Sequence, residues 1–220
     1  MNPDRGAAIS RLAEMIVVVE RPHPVRVAID GFTGSGKTVL ANELAPAIRA
    51  RARPCLRAST DGFHRPRTER DRRGRGSPEG YYRDAFDYEA LRQLLLQPLG
   101  PGGDLHYQTA AFDREGDRAL ASTPRRAEPR AILVVDGTFL QRPELEGCWD
   151  FRVWVECDVE VARARGVGRD RGSFGPDIDA LYRERYMPAQ QLYLSEVGAV
   201  GAADVRFVNN DLDHPVLVRR

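Results

Sequence analysis

The chain has 220 residues, 33 basic against 32 acidic side chains for a formal net charge of +1, and is 42% hydrophobic and 30% charged. That length supports one substantial α/β domain with its own buried core, and near-neutrality argues against a polyanion-coating protein or an acidic disordered tail. Three cysteines without CxxC spacing (Cys55, Cys148, Cys157) argue against a disulfide framework or a zinc site, and the apolar stretch Met15–Val19 is far too short to span a bilayer. A soluble, cytoplasmic protein is expected.

Apolar residues Ile9, Leu12, Ala13, Ile16 and Val19 recur at helical spacing between Asp4 and Glu20, and Pro22 and Pro24 end that helix. Val25–Asp30 reads as a buried strand, Thr38–Ala50 as a helix with Leu40, Leu44 and Ile48 on one face, and Cys55–Ser59 as a second strand. From Asp61 to Tyr82 the chain reads as loop, with glycines and prolines among six arginines between Arg65 and Arg75. That arginine cluster reads first as a solvated, mobile loop and second as a cover over an anionic substrate; Glu69 and Asp71 dilute it as a nucleic-acid arm. Asp87 is placed to cap a helix reaching about Gln97, and Leu105–Arg126 suggests a hairpin apart from the main sheet. Ala131–Val135 and Phe151–Glu156 read as strands and Val205–Val208 as the last one, with helices from about Asp158 and from Ile178 to Leu194. Continuous apolar strands alternating with helices predict an α/β fold: a mainly parallel sheet covered on both faces, with a small hairpin and an arginine-rich lid. Residues 1–220 read as a single domain, with an N-terminal helix in 1–22, an acceptor-side insert in 61–126 and a lid in 163–176.

One position breaks the compositional bias. Lys37 is the only lysine; every other basic residue is arginine. An ammonium on a narrow stem differs from a planar guanidinium, which suggests a slot that takes only the former. Lys37 stands in Gly31-Phe32-Thr33-Gly34-Ser35-Gly36-Lys37-Thr38, which fits G-x-x-x-x-G-K-[ST] between a strand and a helix. Glycines there let backbone N–H groups close on phosphate oxygens, and the helix N-terminus adds positive potential. The pattern predicts a phosphate-binding loop, with Lys37 on the β- and γ-phosphates and Thr38 on Mg²⁺. Asp136, at the end of an apolar strand, is the expected second metal-side residue. No NKxD-type guanine signature is present.

The order of further motifs separates the phosphate-loop classes. Ser59-Thr60-Asp61-Gly62-Phe63-His64 follows the second strand; then come Pro78-Glu79-Gly80-Tyr81-Tyr82, Asp84-Ala85-Phe86-Asp87, Tyr107, Asp136-Gly137, and Arg163, Arg165 and Arg169-Asp170. This order resembles the uridine kinase and phosphoribulokinase family of small-molecule kinases from about Val25 to Asp211. The resemblance implies transfer of the γ-phosphate of ATP, with Mg²⁺, to a hydroxyl of a small metabolite, most directly the 5′-hydroxyl of uridine or cytidine. Asp61 is then the candidate base and substrate-orienting group, Lys37 and Arg169 the other catalytic residues, and Arg165 and Arg169 the lid arginines for the phosphates. His64, Tyr81, Asp84 and Tyr107 are candidates for the acceptor side, with Asp84 standing in for a ribose-binding carboxylate and Tyr81 or Tyr82 stacking on a base. The sequence departs from the family there: Tyr81 occupies the place of an Asp, and Tyr107-Gln108 that of a Tyr-Asp pair. Pantothenate, another nucleoside or a sugar are therefore alternative acceptors. A nucleotide-binding regulator without an acceptor is the alternative of another class, and no nucleic acid or membrane partner is expected.

Overall fold

A computed structural model of the chain describes residues 4–175 and 177–219. Its frame is a six-stranded sheet: β1 (Val25–Gly31), β2 (Cys55–Ser59), β3 (Ile132–Asp136), β4 (Phe151–Glu156), β5 (Val205–Val208) and β6 (Val216–Arg219). The order across it is β6-β5-β4-β1-β3-β2, with the first five strands parallel and β6 antiparallel at the edge. The sequence reading stopped at β5 and missed β6, which is no shorter or less apolar than β5 and lies half-exposed at the sheet edge.

Alternation along the strands divides the core in two. Val25, Val27 and Ile29 of β1 and Ile132 and Val134 of β3 pack with α1 (Arg5–Val17) and α2 (Lys37–Arg49) through Leu12, Ile16, Leu40, Leu44 and Ile48. Ala28, Leu133, Val135 and Trp154 face the other way, against Phe63, Tyr82, Leu91, Leu95, Phe139 and Tyr193. Asp4 caps α1 through the Ala7 N–H, 2.7 Å away.

Two segments are more ordered than expected. Within the stretch read as loop, α3 (Pro78–Asp84) forms because the Ser77 hydroxyl accepts from the Gly80 N–H and Pro78 occupies the first turn, where no N–H is needed. The arginine cluster before it is pinned: Arg72 and Arg73 both bind the buried Asp84, and Arg70 pairs with Asp117 at 3.2 Å. The expected lid is also regular: α4 (Val159–Phe174) runs through Gly166, Gly168 and Gly172 as one helix. Arg165 anchors it by donating to the backbone carbonyls of Asn209 and Asn210, and Asp170 accepts from Tyr182. Tertiary ties here override the glycines' weak helix propensity. Pro176, the last residue of the expected lid, lies outside the described residues.

The expected hairpin is two small ribbons, His106–Tyr107 with Arg125–Arg126 and Phe112–Asp113 with Arg118–Ala119. The late helix comprises Ile178–Leu181, a π turn at Tyr182–Tyr186, and α5 (Met187–Glu196). Pro188 has no N–H to donate into that turn, which accounts for the irregularity.

Candidate active site

Register places the site. In the parallel pairing Ile29 lies beside Asp136, and Ser59 flanks Asp136 on the other side. The carboxyl ends of three adjacent strands therefore deliver Gly31–Thr38, Thr60–Asp61 and Asp136–Thr138 to one edge, where ligands of open parallel sheets bind.

The phosphate loop is held from below and from the side. Asp30, buried at the end of β1, accepts from the Gly31 N–H at 2.7 Å, the Leu140 N–H at 3.1 Å and the Tyr193 hydroxyl at 2.5 Å. Burial raises its pKa against those hydrogen bonds. Gly34 and Gly36 both take positive φ, +88° and +97°. A Cβ on Gly34 would strike the Ala162 carbonyl of α4, and one on Gly36 the Asn209 amide, which itself donates to the Ser35 carbonyl at 2.7 Å. Only glycine fits where loop and lid helix meet so closely.

Lys37 opens α2 with its side chain buried and its Nζ donating to the Phe32 carbonyl at 2.6 Å. Burial lowers its pKa to about 8, with Asp30, Asp136 and Asp61 pulling the other way. The slot expected from the lone lysine is thus a narrow, desolvated one. Thr38 Oγ1 donates to Asp136 Oδ2 at 2.6 Å, and the other oxygen of Asp136 accepts from Arg57 Nη2 at 2.6 Å. The two oxygens expected at the metal are therefore in contact. Among the described residues no cluster of three or more His, Cys, Asp or Glu side chains could cage a metal alone. That donor set suits Mg²⁺, which keeps waters and takes the remaining ligands from substrate phosphates.

Asp61 lies in the turn Thr60–Phe63 with its carboxylate open to the cleft, 3.6 Å from His64 Nε2. The His64 contact holds its pKa below the ordinary carboxylate range. His64 is buried, donates through Nδ1 to the Ala85 carbonyl at 3.0 Å, and stacks on Phe86 with centroids 4.6 Å apart. Arg169 reaches the same cleft from α4, paired with Asp170 at 2.6 Å and hydrogen-bonded to Tyr182. The Asp170 hydrogen bond raises its pKa, so it remains charged.

Two adjoining cavities result. The smaller, about 150 Å³, brings together Thr33, Gly34, Lys37, Thr38, Asp61 and Arg169, with Asp136 at its wall. The larger, about 770 Å³, extends from Asp61, His64 and Tyr81, which it shares, toward Arg185 and the 61–126 insert. The remaining acceptor-side candidates lie elsewhere. Asp84 is sealed under Arg72 and Arg73, at 2.5 and 2.8 Å, and lines neither cavity. Tyr107 is buried beneath Arg125, and Arg165 is committed to the Asn209 and Asn210 carbonyls. Tyr81 does line both cavities, but Phe139 and Tyr186 pack on its ring and the Arg185 guanidinium lies 5.2 Å over it. Sequence reasoning missed Arg57, Asp30, Arg185 and Tyr186. The first two had a visible signal, a charge inside or ending an apolar strand; the last two depend on the π turn.

A phosphate loop at the head of a parallel sheet, with a carboxylate facing it and a helix-borne arginine above, defines the class of P-loop phosphotransferases. The model of the Phosphoribulokinase / Uridine kinase family matches residues 26–197, and the chain belongs to that family. It is 27% identical over 177 residues to "Uridine-cytidine kinase B" of Dictyostelium discoideum, covering 78% of this chain and 70% of that protein. A "Uridine kinase" of Clostridium botulinum (strain Okra / Type B1) is 27% identical over 163 residues, 73% of this chain and 76% of the relative. Among solved structures, that of "a Possible Uridine Kinase from Bacillus stearothermophilus" superposes with a TM-score of 0.72 at 25% identity, covering 91% of this chain and 97% of the other. The chain is accordingly an ATP-dependent small-molecule kinase, a phosphotransferase acting on a hydroxyl acceptor.

Proposed function

We propose that the smaller cavity is where the γ-phosphate passes from ATP to an alcohol lying in the larger one. The convergence of Lys37, the Thr38–Asp136 pair, Asp61 and Arg169 on one cavity carries this reading. Thr38 and Asp136 would hold Mg²⁺, which neutralises charge on the phosphates when bound. Lys37 and the loop N–H groups hold the β- and γ-phosphates. Asp61, ionised at neutral pH and fixed by His64, orients the acceptor hydroxyl and takes its proton. As the acceptor oxygen bonds to the γ-phosphorus, the bond to the bridging oxygen of ADP breaks. Arg169 neutralises the transferring group and, with α4 over the loop, keeps water out.

The names of the curated relatives support a pyrimidine nucleoside, uridine or cytidine, as acceptor. A second reading is favoured by the lining of the larger cavity: Asp84 is not available to hold ribose hydroxyls, and arginines face the space instead. The test is ADP release from Mg-ATP with and without acceptors. Turnover rising far above the water background with one acceptor supports the kinase reading, and an acceptor-independent rate across a broad panel contradicts it.

A further inference from the structure

The larger cavity carries cations that the transfer step leaves unused. Arg185 is the most informative. It sits on the π turn Tyr182–Tyr186, an irregularity that aims side chains where a regular helix would not and that recurs at functional sites. The residue is 9% exposed, and its guanidinium lies over the rings of Tyr81 and Tyr186, 5.2 and 5.7 Å from their centroids. Its Nε is buried without a hydrogen-bond partner, and the nearest carboxylate partner, Asp71, is 3.8 Å away. A guanidinium buried with a donor unsatisfied is costly, and its planar fork is matched to carboxylate and phosphate oxygens.

Four further arginines line the same cavity, and two of them, Arg67 and Arg75, have no carboxylate within ion-pair distance of the side chain among the described residues, whereas Arg70 pairs with Asp117. Four acids also line it: Asp71 faces Arg185 itself at 3.8 Å, Glu115 stands at the wall, and the other two are engaged elsewhere. Asp113 accepts from the Glu115 and Gly116 N–H groups and pairs with Arg118, while Asp61 belongs to the transfer end beside His64. Tyr81 is one of the walls common to both cavities and carries Arg185 on its face, so the cationic site adjoins the phosphate cleft.

We infer that the acceptor alcohol carries an anionic group, a carboxylate or a phosphate, seated on Arg185 with Arg67 and Arg75 beside it, while its hydroxyl lies at Asp61. This rests on the kinase reading and narrows its substrate class. A neutral nucleoside could offer Arg185 only carbonyl or hydroxyl oxygens, whereas an anion would give it a charge-assisted and stronger hydrogen bond.

The experiment compares acceptors that differ in charge alone, at saturating Mg-ATP: ribulose 5-phosphate with ribulose, pantothenate with pantothenol, glycerate with glycerol, and uridine and cytidine alongside. We expect the charged member of one pair to exceed its neutral partner by about 100-fold or more in kcat/KM, consistent with the loss of a charge-assisted pairing in a buried site. The phosphate and carboxylate arms distinguish the two sources of charge. Arg185→Gln should raise the KM for that acceptor by about tenfold or more with a much smaller change in kcat. Arg67→Gln and Arg75→Gln, at exposed positions that do not threaten folding, should raise it by less. Efficient turnover of a neutral nucleoside with every charged acceptor inert would overturn the inference and leave the kinase intact. So would a charged acceptor whose KM none of the three substitutions moves. No acceptor of either kind raising ADP release would instead contradict the kinase reading, and this inference with it.

Discussion

The phosphate half of the cleft is made of strand ends and a helix start, whereas the acceptor half is made of inserted turns, two small ribbons and a π turn. In the first half each functional group is fixed by the backbone that carries it: Lys37 by α2, Asp136 by its register beside Ile29 and Ser59, and the loop by Asp30 beneath it. In the second, side chains are fixed by one another, as Asp84 is by Arg72 and Arg73, or Arg185 by Tyr81 and Tyr186. The chemistry common to the family sits on the part that secondary structure dictates. What distinguishes this chain sits on the part that it does not.

Removing Lys37 should have the largest effect on the first half. Lys37→Ala is expected to lower kcat/KM for ATP by about 10³-fold or more with the circular dichroism spectrum kept. Lys37→Arg should not rescue it, because the slot is narrow and desolvated. Asp61→Asn comes next, with kcat down about 10²–10⁴-fold and the KM for ATP little changed. A near-normal rate would remove Asp61 from proton transfer.

The buried ammonium also gives the first half a pH signature. Lys37 has a pKa of about 8 in the folded chain against 10.5 for a free side chain, because burial disfavours its charge. The folded state then holds fewer protons than the unfolded state between those values, so Lys37's contribution makes stability rise with pH across that window. Below pH 8 the cost of the buried charge is fully present. Lys37→Met should accordingly raise Tm at pH 7 while abolishing turnover, and kcat/KM for ATP in the native protein should fall above pH 8. A Tm unchanged or lowered by Lys37→Met would show that the ammonium is not under strain from burial.

On the acceptor side the comparison predicts stability effects without catalytic ones. Burial opposes the Asp84 charge, but hydrogen bonds from Arg72 and Arg73 overcome it and hold its pKa below the usual value. Their stabilisation is thus present above about pH 4 and is lost as pH falls through the lowered folded pKa. Asp84→Asn should cost about 1–3 kcal/mol in chemical denaturation and leave the acceptor KM nearly unmoved. A large KM effect would return Asp84 to the substrate. The smallest effect is expected at Gly168, inside α4 with open space where a Cβ would stand. Gly168→Ala should stabilise by about 0.5–1 kcal/mol and leave kcat unchanged if α4 stays helical through turnover. A fall in kcat would mean that the helix bends when it closes.

The same division explains what the sequence made legible. Apolar runs announced five of the six strands, and the Gly31–Thr38 motif with its lone lysine picked out the loop that lines the smaller cavity, because those signals are local. The order of the Asp61 and Asp136 motifs picked out residues that line the same cavity. By contrast, residues 163–176 read as a lid rather than as one continuous helix, because the anchors of α4 at Asn209, Asn210 and Tyr182 are not visible in the sequence. Asp84 looked like a ribose ligand because its two arginine partners were counted as solvated. Arg185 could not be singled out among so many arginines without the turn that buries it.

The most direct test of the account follows the γ-phosphate itself. In a single turnover with γ-labelled Mg-ATP, the label should move to the acceptor hydroxyl, with little appearing as inorganic phosphate, and both Lys37→Ala and Asp61→Asn should suppress that transfer. Label released only as inorganic phosphate, at a rate indifferent to any acceptor and to Asp61→Asn, would contradict it.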